Sequence, residues 1–317
     1  MMIINLVLFL LSLVVLLKCA NYAIKYSSRI AKIFSLSEFI VSFFIVALIS
    51  VLPEATIAII SAIKSTPELG LGTLLGAKIA DLTLVLGIAA LFSSKKIKIK
   101  SRILKNNLFY VILLLFPVLL GFDGRFSRTD GLILVLIGSI FLAKVYTENI
   151  GLHSRTKNSK KDSFLKVLLL LTFSLGVLLI SAFYTVKFAV NFANDIRLPV
   201  ILIGTTIIAL GTCLPELVFS IKAVKKNHGE LALGDILGAV IIDATIILGV
   251  VALICPFSYN PYHIYITGSA LVLSGVLVTT FMKTDKSLSK LEGLSLILFY
   301  VVFLLVEFFI NTIIKFK

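Results

Sequence analysis

A stretch of about 45 residues occurs twice in this chain, and any fold must accommodate both copies. The first copy, residues 47–91, reads ALISVLPEATIAIISAIKSTPELGLGTLLGAKIADLTLVLGIAAL. The second, residues 209–253, reads ALGTCLPELVFSIKAVKKNHGELALGDILGAVIIDATIILGVVAL. Aligned without a gap, the copies agree at about twenty positions, far more than a shared apolar composition gives. Leu52-Pro53-Glu54 falls on Leu214-Pro215-Glu216, Gly72 and Gly76 on Gly234 and Gly238, and Asp81 on Asp243. Each copy therefore carries a Pro-Glu inside one apolar run and an Asp inside the next.

The apolar runs have the length of a membrane. Hydrophobic residues make up 59% of the chain and charged ones 15%, and a helix needs about 20 apolar residues to cross a bilayer. Ten apolar segments stand out, near 2–24, 37–63, 69–93, 107–121, 130–147, 164–186, 198–222, 231–255, 262–281 and 291–314. The expected fold is an all-α polytopic membrane protein with ten transmembrane helices. The net charge of +14 does not point to nucleic acid, because Lys and Arg gather in alternate loops rather than on a basic face. Loops after the first, third, fifth, seventh and ninth segments hold about 22 of them and the opposite side about seven. That bias places the first set in the cytoplasm and both termini outside the plasma membrane.

Most of the weight comes from the basic stretches 93–105 and 153–166. The second divides the chain into 1–152 and 153–317, each with five segments. Five is odd, so the second half enters the membrane from the opposite side. The prediction is two inverted five-helix repeats in a single membrane domain. The N-terminus lacks a basic leader, and Lys18 before Cys19 spoils a lipoprotein-like cleavage site, so it reads as a retained first span. Cys19, Cys213 and Cys255 have no paired spacing that implies a disulfide or a zinc site.

Inverted repeats place their substrate site near the midplane, where helices are interrupted. Pro53 and Pro215 supply interruptions, since each lacks an N–H and its ring clashes with the preceding turn. Gly72, Gly76 and Gly87, with Gly234, Gly238 and Gly249, permit close backbone approach. Glu54, Asp81, Glu216 and Asp243 lie well inside apolar segments, where a charge costs at least about 2.5–3.5 kcal/mol. Any one of them, taken singly, also has a reading as a neutral, hydrogen-bonded core carboxyl. At symmetric positions, all four predict an oxygen-rich cage for a hard cation. Ca²⁺ takes six to eight oxygens at about 2.3–2.6 Å. His153, His228 and His263 lie in or near loops, which argues against zinc or copper. Four carboxylates without a bound cation cannot all stay ionised and titrate as a unit, so cation entry releases protons or displaces other cations.

Lys78 lies three residues before Asp81, on the same helix face and within ion-pair reach. One reading makes it a built-in counter-ion that leaves Asp81 when metal arrives. The other has it point elsewhere, to snorkel or to pair structurally. Asp235 beside Gly234 reads as a helix N-cap in preference to an ion entrance. Glu68 and Glu230 read as first-turn dipole partners, and Lys64 and Lys226 as interfacial anchors.

The LPE and LG…G…D elements, present twice among ten segments, resemble the calcium/cation antiporters, nearest the sodium/calcium exchanger branch. The resemblance covers the two repeats closely and the other helices by count and length. It implies alternating access, with segments one and six sliding against a rigid eight-helix core. It also implies Ca²⁺ held by Glu54 and Glu216, with Ser50 and Thr212 and backbone carbonyls near Ala47 and Ala209. In that family the repeats read approximately G-T-S-L-P-E and G-S-N-I-x-N or G-S-N-I-x-D, with hydroxyls that help hold sodium. Here G-T-S becomes Ile49-Ser50-Val51 and Gly211-Thr212-Cys213, and G-S-N becomes Gly76-Ala77-Lys78 and Gly238-Ala239-Val240. Asp81 stands where the family often has Asn. Methyl groups and the thiol of Cys213 offer little to Na⁺.

The expected function is secondary antiport of Ca²⁺, or a similar divalent cation, against protons or sodium. Protons are favoured, because carboxylates remain where hydroxyl ligands have gone. A rival reading is a non-transporting or regulatory ion-binding protein on the same scaffold. No P-loop, HExxH or buried nucleophile–His pair suggests an enzyme. No cofactor is expected, and the chain is expected to function as a monomer.

Overall fold

The computed structural model describes residues 2–33, 43–44, 47–93, 97–98, 107–149, 164–196, 208–225, 229–284 and 287–315. The 152/153 boundary, the loop 153–166 up to Ser163, most of the basic stretch 93–105, His153, His228 and Lys226 lie outside these residues. Helix α1 covers Met2–Ile33, and the first repeat follows as α2 (Ala47–Ser50), α3 (Leu52–Ile63) and α4. Helix α4 runs Pro67–Ala80, passes through a π-helical turn at Asp81–Val85, and continues as Leu86–Phe92. After it come α5 (Asn107–Leu120), α6 (Arg128–Asn149) and α7 (Phe164–Ile196). The second repeat forms α8 (Ala209–Thr212), α9 (Leu214–Lys225) and α10, which runs Gly229–Ile241, a π-helical turn at Ile242–Ile247, then Leu248–Ile254. Helix α11 begins at Pro261–His263, turns through a π stretch at Ile264–Gly268 and continues over Ser269–Thr284; α12 is Lys290–Lys315.

Among the described residues, five helical runs are long and apolar enough to cross a bilayer alone: Pro67–Phe92, Arg128–Thr147, Ala232–Ile254, Pro261–Met282 and Lys290–Ile310. Shorter apolar helices such as Leu52–Ile63 complete the picture among the described residues. The apolar segment near 37–63 is broken for a local reason. Pro53 sits in the first turn of α3, so α2 stops at Ser50 and α3 restarts at Leu52. Pro215 stands at the same place in α9, after α8 stops at Thr212.

The repeat extends beyond the stretch recognised in the sequence. Gly87 of α4 packs on Gly293 of α12, where an added Cβ would lie 2.6 Å from the Gly293 carbonyl oxygen. Gly131 of α6 packs on Gly249 of α10 with the same 2.6 Å approach. Gly249 and Gly293 each follow their counterparts, Gly87 and Gly131, by the same 162 residues. The spacing also relates two capping boxes. Ser127 donates from its N–H and Oγ to Asp130 Oδ2 (2.8 and 2.6 Å) ahead of α6, and Ser289 donates likewise to Glu292 Oε2 (both 2.7 Å) ahead of α12.

Two short antiparallel pairs lace the halves together. Strand β1 (Ile97–Lys98) pairs with β4 (Ser287–Leu288), placing Ile97 opposite Leu288, and β2 (Arg125–Phe126) pairs with β3 (Phe257–Ser258), placing Phe126 opposite Phe257. Loops three and nine thus meet, as do loops four and eight. The main core is built on Leu74, Ile79, Leu82 and Leu86 of α4 with Ile236, Ile241, Leu248 and Val251 of α10. A second cluster lies apart from it, where Phe9, Leu13 and Leu16 of α1 meet Ala182, Val186 and Ala189 of α7. It touches the first repeat through Ile57 and Leu69, and Ile208, just ahead of the second repeat, also belongs to it.

Candidate cation site

The helix breaks bring the acidic residues of both repeats to one place. Glu54 and Glu216 stand in the first turns of α3 and α9, where the unpaired N–H groups of a helix start favour a carboxylate. Asp81 and Asp243 stand on the π-helical turns of α4 and α10. Such turns shift side-chain direction within a helix and recur at functional sites. The Thr83 hydroxyl donates to the Ile79 carbonyl, and that of Thr245 to the Ile241 carbonyl at 2.6 Å, a matched pair beside the two turns. Glu54, Asp81 and Asp243 are 0% exposed and Glu216 1%.

Lys78 sits at the centre. Its side chain is 0% exposed, and its Nζ lies 2.7 Å from Asp81 Oδ2, 3.1 Å from Asp243 Oδ2 and 4.0 Å from Glu54 Oε1. The snorkelling alternative is therefore overturned: a lysine reaching for the interface would expose its ammonium, and this one turns inward to three carboxylates. Its spacing from Asp81 gave the first contact; the contact with Asp243 joins the repeats. Among the described residues, no three acidic, His or Cys side chains gather as a metal-binding group. An ammonium stands among the carboxylates instead. Neither Glu216 carboxylate oxygen has a hydrogen-bond partner among the described residues.

Other expected site residues line the breaks. Ser50 Oγ lies 3.1 Å from both the Ala47 carbonyl and Asp235 Oδ1, so its single hydrogen serves one or the other. Thr212 is buried beside the Glu54 carboxyl. The Cys213 thiol donates to the Ala77 carbonyl at 3.3 Å, and Ala209 is the first residue of α8. Ala47, Val51, Ala239 and Ile242 form a small buried apolar cluster of their own.

Asp235 departs from expectation. It is not an N-cap, because α10 starts at Gly229 and Asp235 lies within it, 1% exposed. Its counterpart in the first repeat is Thr73, so the symmetry that marked the other four carboxylates gave no signal here. Glu307 of α12 is also fully buried. It lies inside the last apolar segment, which was itself a signal. His263 is buried at the head of α11.

The profile of the sodium/calcium exchanger protein family matches residues 4–146 and 166–309, one match for each half. The chain belongs to the sodium/calcium exchanger family. It is 29% identical to the sodium/calcium exchanger MaX1 of Methanosarcina acetivorans, over 98% of this chain and all of that protein. It is also 29% identical to the inner membrane protein YrbG of Escherichia coli, over 80% of this chain and 81% of the relative. A solved structure of the sodium-calcium exchanger NCX_Mj, soaked with Na⁺ and Sr²⁺, superposes with a TM-score of 0.68 at 27% identity, covering 95% of this chain and 98% of that one. The chain is thus an all-helical integral membrane protein with the exchanger fold.

Proposed function

We propose that this protein is a secondary antiporter that exchanges Ca²⁺, or a similar divalent cation, for protons or sodium. The observation that carries this reading is the pair of proline-broken helices, each presenting a buried glutamate, with an aspartate from a π-helical turn beside each. Glu54, Glu216, Asp81 and Asp243 are the cation ligands, with Ser50, Thr212 and the carbonyls near Ala47 and Ala209 completing the oxygen set. Hard oxygens suit a hard divalent ion. The relatives named sodium/calcium exchangers support the same substrate class.

The scaffold for this cycle is ten helices in two inverted halves, 1–152 and 153–317, with both termini outside the plasma membrane. The strand pairs support the inversion: the 162-residue correspondence exchanges loop three with loop eight and loop four with loop nine, while pairing joins three to nine and four to eight. The separate apolar cluster of α1 and α7 supports their sliding as a unit against the other helices. The cycle is written for a monomer and needs no cofactor.

Protons are the favoured counter-ion, because Val51, Ala77, Cys213 and Ala239 are buried where the resemblance places oxygen ligands for sodium. One experiment separates the couplings: ⁴⁵Ca²⁺ uptake into proteoliposomes under an imposed pH gradient or an imposed sodium gradient. Uptake driven by pH alone is the expected result. Uptake driven by sodium alone overturns proton coupling. A regulatory, non-transporting protein is the second reading, favoured by the ammonium among the carboxylates; folded protein without flux under either gradient would select it.

A further inference from the structure

The exchange cycle described above does not account for Lys78. Its counterpart in the second repeat is Val240, so the ammonium enters the site from one side only. It is fully buried, yet it touches carboxylates from both repeats, Asp81 at 2.7 Å and Asp243 at 3.1 Å, with Glu54 at 4.0 Å. A lysine that merely neutralised its own helix would need Asp81 alone. A divalent cation held by these same three carboxylates would need the volume that Nζ takes up. Ammonium and cation therefore exclude one another.

We propose that the Lys78 ammonium is a tethered counter-ion that alternates with the divalent cation in the carboxylate cluster. This rests on the exchange reading above. Buried carboxylates need a positive partner whether or not cargo is bound, because an uncompensated charge is too costly to carry through the membrane. With four carboxylates and no lysine, every compensating charge on the return leg comes from solution. Lys78 supplies one of them from within. Each turnover then takes up one monovalent cation fewer than the carboxylates alone require. The ammonium is a compact charge on a flexible four-carbon stem, suited to withdrawing and returning.

The test counts ions. Proteoliposomes at clamped membrane potential report ⁴⁵Ca²⁺ together with either ²²Na⁺ or lumenal pH, for the wild type, Lys78→Met and the double variant Lys78→Met/Asp81→Asn. The ratio of monovalent ions to calcium is expected to rise by one in Lys78→Met and to return to the wild-type value in the double variant, which removes one charge of each sign. An unchanged ratio in active Lys78→Met overturns the proposal. Two readouts do not depend on turnover. Ca²⁺ should bind folded Lys78→Met in detergent about tenfold more tightly, since a competitor is gone; equal or weaker binding counts against the proposal. A structure of the wild type with Sr²⁺ bound should show Nζ withdrawn from between Asp81 and Asp243. Strontium bound beside an unmoved Lys78 overturns the tethered role while leaving exchange intact. Absence of divalent binding by every form brings down the exchange reading and this proposal with it.

Discussion

In the first repeat, the helix that follows the break carries Thr73 and Lys78; in the second, the same positions hold Asp235 and Val240. The backbones around these residues match down to the π-helical turns at Asp81 and Asp243. Charge has been redistributed on a retained frame. The first repeat contributes both signs to the centre of the site, while the second contributes only carboxylates and places one of them, Asp235, against Ser50 of the opposite repeat. Symmetric backbone breaks make the site; asymmetric side chains decide which ions it holds.

That contrast can be broken most severely at the shared positions. Glu54→Gln and Glu216→Gln should each abolish ⁴⁵Ca²⁺ transport and weaken Ca²⁺ binding beyond the about 10–100-fold that outer-shell changes cost in metal sites. Equal losses would mean that both repeats hold the same cation, whereas a large loss at one position alone would show a one-sided site. The asymmetric position comes next. Lys78→Met leaves Asp81 and Asp243 without their buried partner and should destabilise the folded protein by about 3–5 kcal/mol, read by denaturant unfolding in detergent. The double variant Lys78→Met/Asp81→Asn should recover most of that loss.

Smaller effects sharpen the symmetric half of the comparison. Gly87→Ala and Gly131→Ala each force a Cβ against a backbone carbonyl, and each should cost about 1–3 kcal/mol by the same unfolding measurement. If the two crossings are equivalent, the costs agree; a large difference would show that one half is the more tightly packed. Ser127→Ala and Ser289→Ala, which remove matched capping boxes, should each cost about 1 kcal/mol.

Much of this arrangement is legible in the sequence. The duplicated Pro-Glu predicts breaks in the right helices, because proline acts on its own turn and needs no tertiary context. The spacing of Lys78 and Asp81 puts an ion pair within reach for the same local reason, as one of two readings that the sequence leaves open. What lies across the fold is less readable. Nothing near Lys78 announces Asp243, 165 residues away, since that contact depends on how α4 and α10 meet. The π-helical turns leave no composition signal. Asp235 was hidden by the symmetry that exposed the others, because its counterpart is a threonine. The capping boxes at Ser127 and Ser289 lie outside the recognisable repeat, where apolar side chains have diverged while the backbone correspondence persists.

The glycine crossings have a consequence for assembly. Gly87 against Gly293 and Gly131 against Gly249 are one contact made twice, since each residue of one pair has its counterpart in the other. A chain of half this length would carry both faces of that contact, one around its own Gly87 and one around its own Gly131. Two copies of such a half-chain could therefore satisfy each other completely, with the reciprocity of an isologous dimer. The joint between the halves is a self-complementary subunit interface held within a single polypeptide.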